Sequence, residues 1–291
     1  VTFVVDRSGR GKLALTGADA KTFLHGQVTN DIEGLQPGQG CYAAFLTHKG
    51  KMLGDMRVFD LGDELLLDCE RVALQDLFNM IRRYKLGLEV ELHKRTLELG
   101  LFSVIGPDAP ALVGEAEHSC ARVALGGPEV VAARTDTGVD VFFRAEDRDA
   151  VRAALDFPDG DEAQAEIVRV ESGRPRFGVD IDDSVIPQEA GLNERAVSFT
   201  KGCYVGQETV ARLYYRGKPN RRLRGVRLSA PAPAGTELRL GEKTVGRLGS
   251  CVVSPVHGPI GLAIVRREAE DGVTVDAGGI AARIVDVPFT R

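Results

Sequence analysis

The apolar pattern of the chain changes character near residue 216, and that change constrains its fold most. Upstream, two spacings alternate. Leu74, Leu77, Phe78, Ile81 and Leu86 recur at helical intervals, with Gly87 placed to end the helix. Residues 147–155 and 162–171 read as further helices. The spacing Thr16-Gly17-Ala18-Asp19 fits a capping box ahead of a helix carrying Phe23 and Leu24. Strand-like stretches lie at 12–15, 42–46, 52–59, 64–68, 97–105, 129–134 and 139–143, and a polar turn at 47–51 joins the second to the third. This irregular order predicts an α+β fold rather than a doubly wound parallel sheet. Downstream, helical spacing vanishes. Stretches 222–228, 236–240, 244–253, 260–265 and 280–285 are all strand-like, with turns at 231–235 and 271–272. A terminal all-β module, a small barrel or sandwich, fits that spacing.

Charge and cysteine usage narrow the function. The chain has 37 basic and 42 acidic residues, a net charge of −5, whereas a duplex nucleic-acid binder carries a basic excess. No nucleic-acid partner is expected on that ground. No apolar run approaches the ~18 residues of a membrane helix, and the start lacks a basic region followed by a long apolar stretch. No membrane partner is expected. Cys41, Cys69, Cys120, Cys203 and Cys251 are scattered, with no metal-ligand spacing among them, so no metal site is expected. Scattered thiols suit a reducing compartment, and the expected location is the cytoplasm.

Three segments carry candidate chemistry. In Lys201-Gly202-Cys203-Tyr204-Val205-Gly206-Gln207-Glu208, glycines flank a thiol ahead of a helix-like run. Placed at the first turn of that helix, Cys203 would be driven toward thiolate by backbone N–H groups, with Lys201 adding to the effect. A cysteine with no evident histidine partner also reads as a small buried residue. Glu171, in Val170-Glu171-Ser172-Gly173, ends a helix and is able to accept two parallel hydrogen bonds; it also reads as an exposed helix-end carboxylate. Arg212, Arg216, Lys218, Arg221, Arg222 and Arg224 form a basic cluster around Tyr214 and Tyr215, which reads as a site for carboxylates or phosphates, as a single-stranded nucleic-acid groove that the acidic total counts against, or as a solvated charge run.

The run at 201–208, with Ala211-Arg212 and Arg216-Gly217, resembles the signature of YgfZ-type folate-binding proteins, relatives of the glycine-cleavage T-protein (aminomethyltransferase). Residues 23–32, 47–52, 245–250, 254–255 and 288–289 resemble other segments of that family. The resemblance implies a multi-module T-protein-like ring: a folate-binding α+β region over 1–215, made of two interleaved modules, and a C-terminal β-barrel over 216–291. It implies a tetrahydrofolate or related folate ligand and a role beside iron–sulfur client or assembly proteins, in their assembly, maintenance or repair. Glu171 matches the glutamate that holds the pterin, and Cys203 with Lys201 matches the reactive motif. Asp55, Arg212 and Arg216 are the further folate candidates. T-proteins carry Gly-Gly-x-x-Asp-Asp where this chain has Gly50-Lys51-Met52-Leu53-Gly54-Asp55. Gly54 replaces one aspartate, which counts against the alternative, a folate-dependent aminomethyltransferase or other one-carbon transfer enzyme.

Overall fold

The computed structural model describes residues 1–290. It divides into two compact units, each assembled from separate segments: Val1–His48, Leu53–Glu162 and Arg195–Val205 form the first, and Lys49–Met52, Ala163–Glu194 and Gly206–Arg291 the second.

The first unit holds β1 (Phe3–Asp6), β2 (Gly11–Thr16), α1 (Ala20–Gln27), β3 (Gly40–Leu46), β4 (Met52–Asp60), β5 (Leu65–Cys69), α2 (Leu74–Tyr84), β6 (Glu91–Lys94), β7 (Leu99–Ile105), β8 (Cys120–Ala124), β9 (Glu129–Thr135), β10 (Gly138–Arg144) and α3 (Arg148–Ala154). Its two five-stranded sheets run β3-β4-β5-β2-β6 and β1-β7-β10-β9-β8. Pairing is antiparallel, with Leu13 opposite Leu67 in one sheet and Phe142 opposite Leu101 in the other. Phe59 and Leu66 from the first sheet share a buried cluster with Leu101, Cys120, Ala133 and Phe142 from the second. The rings of Phe59 and Phe142 meet edge to face, centroids 5.8 Å apart. Removing either ring would cost ~3–5 kcal/mol.

A buried ion-pair chain runs beside this cluster. Asp68 on β5 is fully buried and accepts from Arg10 at 2.9 Å and Arg57 at 2.6 Å, while Arg57 also reaches Asp140 on β10 at 2.5 Å. Burial alone would raise the Asp68 pKa; the two guanidinium groups outweigh it and hold the carboxyl at about 2. Lys12 on β2 is also fully buried, its ammonium donating to the carbonyls of Ser8 at 2.8 Å and Arg10 at 3.0 Å.

The capping box expected at Thr16 is not formed. Thr16 still pairs with Glu91 of β6, and its hydroxyl lies 2.8 Å from Nε2 of His93. Sheet pairing therefore claims Thr16, and Asp19 caps α1 without a side-chain bond, its carboxylate accepting instead from Glu89 N at 2.8 Å.

The remaining elements are α4 (Glu162–Glu171), α5 (Asn193–Ala196), α6 (Gln207–Arg216), β11 (Arg221–Leu228), β12 (Glu237–Leu240), β13 (Lys243–Ser254), β14 (Gly258–Arg266), β15 (Thr274–Asp276) and β16 (Ala281–Val285). Strands β11-β14-β13-β12-β15-β16 close into a barrel, filled by Val226, Leu238, Val245, Leu248, Val265 and Ile284. Val170 of α4 packs with Leu223, Ile260, Leu262 and Phe289. Gly173 ends α4. Its φ of +68° is open to glycine, and Gly173 N donates to Val170 O at 2.9 Å while Arg174 N donates to Arg169 O at 3.2 Å. That turn leaves Glu171 at the end of α4.

Candidate functional site

In the first unit the chemistry gathers around Asp55 on β4. Asp55 is only 6% exposed, and the Tyr42 hydroxyl on neighbouring β3 donates to its Oδ2 at 2.7 Å. The Arg195 guanidinium lies 5.4 Å from the centre of the Tyr42 ring, and Asn30 Nδ2 donates to the Tyr42 carbonyl at 2.8 Å. Burial raises the Asp55 pKa to about 6, against the downward pull of the Tyr42 hydrogen bond. Near that pH the carboxyl is present in both protonation states and is able to accept or donate a proton.

The adjacent Gly54 faces a filled space. A Cβ placed there would lie 2.6 Å from Cε1 of Phe45 and 2.7 Å from Cβ of Ala73. The ring and the methyl group occupy the volume that a side chain at this position needs.

Lys201 and Cys203 belong to the same unit. The Lys201 ammonium donates to the carbonyls of His25, Val28 at 2.8 Å and Asn30 at 3.0 Å, so its three protons are committed to the backbone around the end of α1. Burial lowers its pKa to about 8, and it sits 5.0 Å from the centre of the Tyr204 ring. Cys203 is exposed in an irregular stretch. The placement at a helix first turn is corrected. Helix α6 starts at Gln207, and its N-cap is Gly206, whose φ of +84° supplies the left-handed conformation needed there. Cys203 lies three residues before that cap in sequence, outside the first turn of the helix. Burial pushes the thiols of Cys41 up to about 12, Cys120 up to about 11 and Cys69 higher still.

In the second unit, Glu171 is half-buried at the end of α4. The Ser254 hydroxyl donates to its Oε1 at 2.5 Å, while Val256 N at 3.0 Å and His257 N at 2.9 Å donate to that same hydroxyl oxygen. Both lone pairs of the hydroxyl are used, so its proton points at Glu171. Phe289 N binds the Glu171 carbonyl at 2.9 Å. The hydrogen bond tethers the carboxylate through Oε1, and a carboxylate is a group able to accept paired N–H donors. Arg212 and Arg216 lie exposed on α6, and Arg212 reaches Glu208 at 3.2 Å.

Nothing in the sequence marks Tyr42, Arg195 or Ser254 as a candidate for chemistry by residue type or spacing. One signal was available for Tyr42: the hairpin expected around the turn at 47–51 puts it on the strand next to that of Asp55. Ser254 lies in the 254–255 segment that resembles the family, but nothing there announces its contact with Glu171, 83 residues away.

Residues 2–128 match the GCVT N-terminal domain and residues 220–288 the CAF17 C-terminal beta-barrel domain. A protein named tRNA-modifying protein YgfZ from Vibrio vulnificus is 32% identical, the match spanning 81% of this chain and 73% of that protein. An aminomethyltransferase from Rubrobacter xylanophilus is 29% identical over 98% of this chain and 82% of its own length. The crystal structure of the glycine cleavage system aminomethyltransferase T from Bartonella henselae superimposes with a TM-score of 0.87 over 99% of this chain and 86% of that one, at 20% identity, which shows a common fold. The chain therefore belongs to the YgfZ family, built on the aminomethyltransferase fold with a CAF17-type C-terminal barrel.

Proposed function

We propose that this chain binds a reduced folate and supports iron–sulfur enzymes through that binding, in the cytoplasm. One observation carries the folate reading: the Glu171 carboxylate, tethered by a Ser254 hydroxyl whose other valences are filled. A pterin edge offers an N3–H and a 2-amino group side by side, and a carboxylate is able to accept both. Arg212 and Arg216 are cationic candidates for the glutamate tail. Family membership supports the iron–sulfur role, and the relatives named as tRNA-modifying point to clients among enzymes that modify tRNA. The five unpaired cysteines fit a reducing compartment. Cys203, the exposed thiol of the motif, is the proposed reactive group.

One-carbon transfer is the less favoured reading, because Gly54 has no room for the aspartate of the T-protein run. Calorimetric titration with tetrahydrofolate tests the binding. Saturable heat supports it, and its absence at millimolar ligand removes it. In cells lacking the protein, restored iron–sulfur enzyme activity tests the role.

A further inference from the structure

Helix α6, its connection to β11 and the start of β11 expose Arg212, Tyr214, Tyr215, Arg216, Lys218 and Arg222. Tyr214 is 48% exposed and Tyr215 67%, and their rings meet edge to face with centroids 5.0 Å apart. Arg212 shares its charge with Glu208, whereas Arg216, Lys218 and Arg222 enter no ion pair among the described residues. From Gln207 to Arg222 there are five cations and a single carboxylate, in a chain whose net charge is −5. The overall acidity argues against nucleic acid for the surface as a whole; this strip has the opposite sign.

Two solvent-facing aromatic rings next to unpaired cations suit one class of partner. Nucleobases stack on aromatic faces, while phosphates pair with guanidinium and ammonium groups. An acidic peptide would use the cations but not the rings. A lipid surface would call for exposed aliphatic side chains on α6, yet Val210 is buried and Leu213 half-buried. We infer that this strip binds single-stranded RNA, with bases stacked on Tyr214 and Tyr215 and phosphates held by Arg216, Lys218 and Arg222. Arg216 is shared with the proposed folate tail contact, whereas Tyr215 is not, so folate affinity serves as the control for the Tyr215 variants only.

Fluorescence anisotropy of the full chain with a labelled single-stranded RNA of about 12 nucleotides tests it. Binding should weaken as salt rises from ~50 to ~200 mM, with a log–log slope of about −2 for three phosphate contacts. Reversing Arg216, Lys218 and Arg222 together to Glu should abolish binding. Tyr215→Ala should weaken it roughly 5- to 100-fold at fixed salt. Tyr215→Phe, which keeps the ring, should bind as the parent does. Melting temperature and tetrahydrofolate affinity should be unchanged in Tyr215→Ala. Absence of RNA binding at low salt overturns the inference. So does binding that ignores Tyr215→Ala, which would leave only non-specific charge attraction. Tighter binding of phosphatidylglycerol vesicles than of RNA would reassign the strip to a lipid surface and also overturn it.

Discussion

The Tyr42 hydroxyl donates to Asp55 Oδ2 at 2.7 Å across neighbouring strands, and it does so to a carboxyl that burial has already pushed up to about 6. A carboxyl raised above its unfolded pKa binds its proton more tightly in the folded chain. Its contribution to stability is greatest below the unfolded value of about 4 and is lost as pH rises through the folded value near 6. Two pKa units correspond to about 3 kcal/mol. Asp55→Asn keeps an acceptor for Tyr42 and removes the titration. Chemical denaturation across pH should show the parent losing up to about 3 kcal/mol between pH ~4 and ~7 relative to the variant. Parallel pH profiles for the two proteins would mean that Asp55 titrates normally.

Restoring the missing aspartate should damage the fold. In Gly54→Asp the new Cβ would approach Phe45 to 2.6 Å and Ala73 to 2.7 Å, and a carboxylate would enter an apolar contact. Overpacking costs ~1–3 kcal/mol and a buried unpaired polar group a further ~1–3 kcal/mol. A marked drop in melting temperature is expected, without gain of aminomethyl transfer. A variant that melts with the parent and transfers a one-carbon unit would revive the transferase reading.

Cys203 should be the fast-reacting thiol of its unit. It is exposed, whereas Cys69 and Cys120 are buried and their pKa values are raised. Alkylation with iodoacetamide at neutral pH, followed by peptide mass spectrometry, ranks them. Equal labelling of Cys203, Cys69 and Cys120 would contradict the exposure. Complementation by both Cys203→Ser and Cys203→Ala would assign the motif a backbone role rather than a thiol role.

How far the sequence carried the structure depends on the range of the forces involved. Helix α4 occupies the expected 162–171, because the Pro158-Asp159-Gly160 break and the Gly173 turn are local signals. The barrel strands were legible from spacing, except the three-residue β15, which is too short to show a period. Thr16 carried a local capping signal, and cross-sheet pairing with β6 overrode it. Lys12 lay in an expected strand, but nothing nearby in sequence announced that its ammonium would be buried against backbone carbonyls. The same limit applies at the site. Glu171 was visible as a helix-end carboxylate, yet the hydroxyl that tethers it arrives from β13.

The most direct test of the account is tetrahydrofolate affinity by calorimetry for the parent and for Glu171→Gln. The variant keeps the shape of the side chain and replaces one acceptor oxygen with a donor. Loss of a charge-assisted hydrogen bond costs ~1.5–3 kcal/mol, so affinity should fall about ten- to a hundredfold while the melting temperature stays close to the parent's. Equal affinity in the two proteins would contradict the assignment of the pterin to Glu171, and no measurable binding in the parent would contradict the folate function itself.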